Sequence, residues 1–234
     1  SKKQILFVGT QGKLEWIANY NSVGDALLLH RPGQEVLIEE IPKTRPGDTV
    51  VIMGPGQRGL ASVIACRYVG AGTIIVTGLE ADAKKLELAK LYGADHTIDV
   101  TNENAVRRVK EITNGRGADV VVDVSAYATQ PVVDALHMVR AGGTIVLAGV
   151  KGFKQVDNFV SDMIVMKEIN IRGAIGVTSS GYRSAIRLLE SGTVPFDKMH
   201  THDFPLAEAE LAIKTLAREI KGDESIHSCL IPPQ

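Results

Sequence analysis

A doubly wound α/β domain on a six-stranded parallel sheet is the fold this sequence predicts. Three observations carry it. Apolar β-branched runs alternate with helix-period segments from Gly47 to about Gly176. Several of those runs, such as Asp119–Val124, are continuously apolar at their centre, as strands covered on both faces are. Three glycines spaced G-x-G-x-x-G, at 54, 56 and 59, stand between the first run and the first helix.

Each element follows from its own pattern. Thr49–Met53 reads as a strand and Gln57–Val69 as a helix. Thr73–Thr77, TIIVT, is a β-branched strand, and Asp82–Leu91 is helical. His96–Ile98 is a short strand before a helix over Asn104–Ile112. Asp119–Val124 is a strand, Gln130–Val139 a helix and Thr144–Ala148 a strand. A helix over Phe159–Met166 and a strand over Ile169–Gly173 complete six strands with helical crossovers. Beyond them, Ser179–Ser191 is a helix stopped by Gly192, and Leu206–Ala217 is a second helix led by Pro205. Ser228–Ile231 is a last strand. Ahead of the series, Ile5–Val8, Ala26–His30 and Val36–Ile38 read as short strands between Gly, Asn and Pro turns. The expected division is therefore a β-rich segment at 1–46, a nucleotide-binding domain at 47–176 and a helix–strand tail at 177–234.

The totals exclude several classes. With 234 residues, 44% of them hydrophobic and 23% charged, the chain has the composition of an ordinary globular protein. A formal charge of -1 gives no basis for a nucleic-acid or anionic-membrane partner. No apolar run reaches a membrane span, and no secretory signal opens the chain, so a cytoplasmic location is expected. Cys66 and Cys229 read as two free thiols in a reducing compartment, too few for a structural zinc.

Each glycine of the turn has a physical task. Gly54 allows the tight exit from the strand, and Gly56 lets a pyrophosphate come close to the backbone. Gly59 lets the helix pack on the sheet. The N–H groups that open the helix, aided by its dipole, then face the anion. This is the dinucleotide-binding, or Rossmann, arrangement. The position that selects between NAD and NADP lies about twenty residues on, at the end of the second strand. Gly78 stands there in place of an acidic residue. That leaves room for a 2′-phosphate, with Lys84, Lys85 or Arg58 as its cation, yet Glu80 and Asp82 are near enough to take the ribose. Both cofactors stay open.

The stretches RPGDTVVIMGPGQRGLA, AKLYGADHTIDV, GRGADVVVDVSAYATQPVVDALHMVRAGGTIVLAGV and FPLAEAELAIKTL resemble the medium-chain dehydrogenase/reductase superfamily, and within it the zinc-type alcohol and polyol dehydrogenases. The resemblance implies NAD(P) bound in extended form and hydride exchange with an alcohol or carbonyl substrate. It places the pyrophosphate along Gly54, Gly56, Gln57, Arg58 and Gly59, and the adenosine ribose between Gly78 and Glu80. Ser125 and Ala126 lie along the cofactor, Gly149 and Val150 near the nicotinamide, and Ala174 and Ile175 after the sixth strand. It also implies a homodimer through the strand at 169–173.

The departures from that pattern are as informative. Members carry a catalytic domain ahead of the cofactor domain, with a zinc held by Cys, His and a further Cys, Glu or Asp, and a proton relay. Here ALLLHRPGQEVLIEEIPKTRPGD resembles only the first hairpin of that domain, so residues 1–46 read as its remnant, and residues 1–21 match nothing in it. No catalytic residue is identified, and no zinc is expected. His200, His202 and Asp203 in KMHTHDF are three candidate ligands, but that stretch resembles the family's surface return strand. His30, His96, His137 and His227 are isolated and read as packing or surface residues. Tyr127 and Tyr182 have Pro131 and Ile186 four residues on, so the Tyr–Lys pair of short-chain dehydrogenases is missing. A methyltransferase shares the first glycine turn but not the AGGTIVLAGV strand. Two further readings stay open: a dinucleotide-binding module without catalysis, and a zinc-free reductase of an activated carbonyl or alkene.

Overall fold

The computed structural model describes residues 3–8, 14–20, 44–174, 179–222 and 225–232. The expected strands at Ala26–His30 and Val36–Ile38 lie outside them, as does Ile175. The chain divides into two compact units, 33–178 and a second made of 1–32 with 179–234.

The first unit holds six strands: β3 (Thr49–Met53), β4 (Thr73–Gly78), β5 (His96–Asp99), β6 (Ala118–Asp123), β7 (Val139–Leu147) and β8 (Asn170–Gly173). They pair in the order β5-β4-β3-β6-β7-β8, all parallel. Five helices accompany them: α1 (Gln57–Tyr68), α2 (Ala83–Leu91), α3 (Ala105–Ile112), α4 (Gln130–Met138) and α5 (Asp162–Lys167). This is the doubly wound Rossmann-type sheet that the patterning predicts. β3 runs on to β4 and β5 on one side, while β6 runs on to β7 and β8 on the other. The direction in which successive strands are added therefore reverses between β3 and β6, and ligands of such sheets bind outside the strand ends at that point.

The continuously apolar runs are the buried centre. Val50, Val51, Ile52, Ile74, Ile75, Val121 and Val122 have no solvent exposure. Each such side chain contributes roughly 1.5–3 kcal/mol through burial, which is what holds a purely parallel sheet between its helices. One core cluster gathers Val51, Ile75, Ile98, Val109, Leu136 and Ile145 from six elements. On the edge of the sheet where the strands begin, buried Asp119 accepts hydrogen bonds from Thr49 N (2.8 Å), Arg140 Nε (2.5 Å) and Arg116 (2.6 Å). It ties β6 to the start of β3 and to β7.

Most element ends fall within two residues of expectation, and three starts differ by three residues or more. β7 starts at Val139 rather than Thr144, because Val139 pairs with Ala118 across an irregularity in the ladder. α5 starts at Asp162 rather than Phe159. The helix expected from Leu206 is a short 3-10 turn over Leu206–Glu208 followed by an α-helix.

The second unit is a four-stranded sheet in the order β2-β1-β10-β9, with β1 at Lys3–Val8, β2 at Leu14–Tyr20, β9 at His202–Pro205 and β10 at Ser228–Ile231. β1 pairs antiparallel with β2 and β10, and β10 pairs parallel with β9. α6 (Ser179–Glu190) and α7 (Ala209–Leu216) belong to the same unit, and Phe204, Ala212 and Leu230 form its small core. α6 is followed by Gly192 at φ +62, the left-handed position expected of a helix stop. β2 was not foreseen. The pattern predicts a strand at Ile5–Val8 and no element over 14–20.

Candidate functional site

The glycine turn sits at the C-terminal end of β3, beside the reversal point. Gly54 has φ +105, a conformation open to glycine at little cost, and its N–H donates to Thr77 O on β4 (3.0 Å). A Cβ on Gly59 would stand 1.9 Å from Gly54 O, so the first turn of α1 crosses the strand exit with no room for a side chain. A Cβ on Gly56 would meet nothing within 4 Å. Gly56 is the N-cap of α1, and no side chain caps that helix. Its opening N–H groups are therefore left for water or an anion. Gln57, the first helical residue, is buried, and neither its Oε1 nor its Nε2 has a hydrogen-bond partner among the described residues. A buried unpartnered amide is costly, and a ligand at the turn would relieve it.

The neighbouring strand ends converge here. Gly78 is buried, and a Cβ on it would stand 2.7 Å from Pro55 Cγ, so packing against the turn itself requires glycine. Its carbonyl accepts from Val100 N (2.9 Å), which joins the β4 and β5 ends. Beyond it, Asp82 accepts from Leu79 N (3.1 Å) and pairs with Lys85 Nζ (3.5 Å). Asp82 is thus engaged locally, whereas the Glu80 side chain is exposed. Arg58 Nη1 donates to Ala148 O (3.4 Å) at the end of β7. That draws its guanidinium to the opposite side of β3 from Gly78. Lys84 and Lys85 remain beside Gly78 in the chain.

On the other side of the reversal, Gly149 is held against β6. A Cβ on it would lie 1.9 Å from Ser125 O, and its N–H donates to Asp123 O (2.9 Å). Tyr127, at φ +63, donates its N–H to Val150 O (3.1 Å). The loops after β6 and β7 are thereby stitched together, with Ala126 and Val150 exposed along them. Ala174 N donates to Leu147 O (3.0 Å) after β8.

One group here was not singled out from the sequence. Asp123, the last residue of β6, has no solvent exposure. Its Oδ1 accepts from Ser125 Oγ (2.5 Å) and Ser125 N (3.0 Å), and its Oδ2 pairs with Lys151 Nζ at 2.8 Å. Lys151 Nζ also donates to Ser125 O (2.5 Å) and Ser125 Oγ (3.0 Å). The lysine has the wall of the cleft as its partner and fixes Ser125 in place. The signal was a lysine two residues after Gly149 and an aspartate ending an otherwise apolar strand. Neither carries a spacing that links it to the other.

Both cysteines are buried free thiols, and burial pushes each up to about 12. Protonated at neutral pH, they are poor nucleophiles. The candidate ligands His200, His202 and Asp203 are only partly brought together. His200 Nε2 meets Asp203 Oδ1 at 3.1 Å, while His202 bonds Thr201 Oγ1 (2.8 Å) and stacks on Phe204. His227, read as isolated, instead lies 2.9 Å from His200, Nδ1 to Nδ1. No helix among the described residues is long and apolar enough to cross a membrane.

Comparison with known proteins places this geometry. The family described as zinc-binding dehydrogenase matches residues 59–191. A Mycobacterium tuberculosis protein named probable alcohol dehydrogenase is 42% identical over 194 residues, which is 82% of this chain and 53% of that protein. A sorbitol dehydrogenase of Bacillus subtilis is 36% identical over 172 residues, 74% of this chain and 47% of that protein. This chain thus spans about half the length of the curated relatives it matches. Among solved structures, an alcohol dehydrogenase of Thermotoga maritima superposes with a TM-score of 0.78 at 24% identity, covering 94% of this chain and 60% of that one. A dehydrogenase-type structure from Sinorhizobium meliloti bound to NADP superposes with a TM-score of 0.72 at 25% identity, covering 86% of this chain and 58% of that one.

Proposed function

We propose, from the premise that this chain belongs to the zinc-binding dehydrogenase family, that it binds a nicotinamide dinucleotide at the Gly54–Gly59 turn and serves an alcohol or polyol oxidoreductase. The observation that carries this is the turn itself. Gly59 has no room for a Cβ, Gly56 is open to an approaching group, and the buried Gln57 amide awaits a partner. A pyrophosphate at an uncapped helix start fits all three.

In this reading Gly54, Gly56, Gln57, Arg58 and Gly59 hold the pyrophosphate, and Gly78 with Glu80 flanks the adenosine ribose. Ser125, Ala126, Gly149, Val150 and Ala174 line the path to the nicotinamide. The nicotinamide supplies the hydride chemistry when bound. The chain's own part is to orient it. Lys151 and Asp123 lock Ser125 and the two stitched loops into one wall, and the Gly149 contact keeps that wall close to β6.

The family's name implies a catalytic zinc. The described residues at the strand ends do not fit one. Asp123 is the carboxylate buried there, and it is engaged by Ser125 and Lys151. No step is therefore derived through a zinc at the cleft. The cofactor domain is the region 47–176, within the first unit.

Either NAD or NADP serves. The NADP carried by the Sinorhizobium structure supports NADP; the tight packing of Gly78 on Pro55 shows that this glycine serves the turn rather than a 2′-phosphate, and the free reach of Glu80 supports NAD. Two buried free thiols support a reducing, cytoplasmic location. The edge strand β8 and the exposed Val165 and Met166 of α5 support a homodimer through that face, and the formal charge of -1 gives no basis for a nucleic-acid or membrane partner. The test is a fluorescence titration with NADH and NADPH beside a turnover assay on sorbitol and simple alcohols. Binding with turnover supports the dehydrogenase, and binding without it leaves the dinucleotide-binding module. No binding of either cofactor overturns both.

A further inference from the structure

Three side chains capable of ligating a metal converge in the second unit, and only His200 among them is one of the candidate ligands of the KMHTHDF stretch. His200 precedes β9, His227 precedes β10, and Cys229 is on β10. The two strands run parallel with Ser228 opposite His202 and Cys229 opposite Asp203, so the residues just before them come side by side. The Nδ1 atoms of His200 and His227 are 2.9 Å apart, and Cys229 Sγ is 3.8 Å from each. His227 and Cys229 are 2% and 1% exposed.

The sulfur is equally distant from both nitrogens. An N–H···N hydrogen bond accounts for the 2.9 Å between the nitrogens alone, whereas an ion at the centre of the triangle uses all three atoms. Around a tetrahedral zinc, with bonds of about 2.0–2.1 Å to nitrogen and about 2.3 Å to sulfur, two nitrogens stand roughly 3.3 Å apart and nitrogen and sulfur roughly 3.6 Å apart. The observed triangle differs from that by a few tenths of an ångström on each side.

The surroundings are also those of a prepared site. Asp203 Oδ1 lies 3.1 Å from His200 Nε2, a carboxylate beside the ring nitrogen that is not in the triangle, which leaves Nδ1 to face a cation. His227 is fixed through its backbone. Thr201 Oγ1 donates to His227 O (2.9 Å) and accepts from Ile226 N (3.1 Å) and His227 N (3.3 Å), while Thr201 N and His202 N donate to the same carbonyl (3.2 and 3.1 Å). Two imidazoles and a thiol suit a thiophilic d10 cation rather than magnesium or calcium.

We propose that His200 Nδ1, His227 Nδ1 and Cys229 Sγ form a zinc site, with Asp203 as the carboxylate that orients His200 and a water at the fourth position. Its ligands all belong to the second unit, Cys229 on β10 and the two histidines just ahead of β9 and β10, and none belongs to the dinucleotide turn. It reverses the expectation of a metal-free chain. The thiol gives up its proton on binding, as thiolate ligation requires.

The test is metal uptake by the purified chain after chelator treatment. Zinc titrated against a chromophoric chelator should saturate at one ion per chain, with Kd of about 1 μM or tighter. Cobalt(II) in its place should give a thiolate-to-metal absorption band that Cys229→Ser abolishes. His200→Gln should weaken zinc by roughly 100-fold, Asp203→Asn by about 10–100-fold, and His202→Gln not at all. Circular dichroism of each variant shows whether it is folded. Should Cys229→Ser or His227→Gln fail to fold, the half-buried His200 carries the test. The proposal is overturned by a wild-type chain that takes up no zinc, by cobalt without the thiolate band, or by a folded His200→Gln with unchanged affinity.

Discussion

Replacing Gly56 by valine separates the binding task of the glycine turn from its folding task. A Cβ at 56 meets nothing within 4 Å, so the side chain points into open space. The backbone at φ -65 and ψ -179 suits a β-branched residue. The fold should lose about 1 kcal/mol, the cost of a poorer N-cap, or roughly 2–4 °C in Tm for a chain of this size. The space the valine fills is where the pyrophosphate is proposed to lie, so NADH or NADPH affinity should fall at least tenfold, roughly 1.4 kcal/mol. Gly59→Ala should do the reverse in order of cause. Its methyl would stand 1.9 Å from Gly54 O, and the turn must open by more than 1 Å to admit it. Overpacking of that kind costs about 1–3 kcal/mol, and binding would be lost through the distorted turn. Thermal melts and fluorescence titrations of both variants read the two effects apart. Wild-type affinity in Gly56→Val would refute the placement of the cofactor. A Gly56→Val protein less stable than Gly59→Ala would refute the packing argument.

Three further outcomes are expected. Lys151→Met leaves the fully buried Asp123 carboxylate without its cation and should cost about 3–5 kcal/mol in denaturant unfolding, most of it restored in the double variant with Asp123→Asn; additive losses would show that the two are not coupled. At Asp119, burial pushes the carboxyl up, but hydrogen bonds from Arg140, the Thr49 amide and Arg116 overcome it and hold the group below its ordinary 3.8. A depressed folded value stabilises at pH above the ordinary one and is lost as pH falls through the lower one. Melting curves between pH 6 and pH 2, at about those limits, should therefore converge for wild type and Asp119→Asn only in the acid range. Val165→Asp with Met166→Asp places charge on two of the most exposed apolar side chains beside β8 and should shift light scattering from dimer to monomer with the melt unchanged; a wild-type monomer at micromolar concentration would end the dimer proposal.

Local patterning determined the first unit almost whole. An uninterrupted β-branched run such as the VVV of residues 120–122 suits a strand buried on both faces, and helix-period segments between such runs leave few ways to wind the sheet. The glycine turn was legible for the same reason, since its chemistry lies within six consecutive residues, Gly54 to Gly59. The tertiary structure alone decided whatever depends on distant residues. β1 meets β10 across more than two hundred residues, and no spacing in either strand announces it. Lys151 reaches Asp123 because β6 and β7 end side by side, and neither residue is unusual in its own stretch. His200, His227 and Cys229 are 27 and 29 residues apart at their widest pairings, too far for a recognised ligand spacing, and they meet because two parallel strands start at one end of a sheet. A parallel pair is joined by a long crossover, so it gathers side chains from separate places in the chain, and only the folded backbone shows which ones.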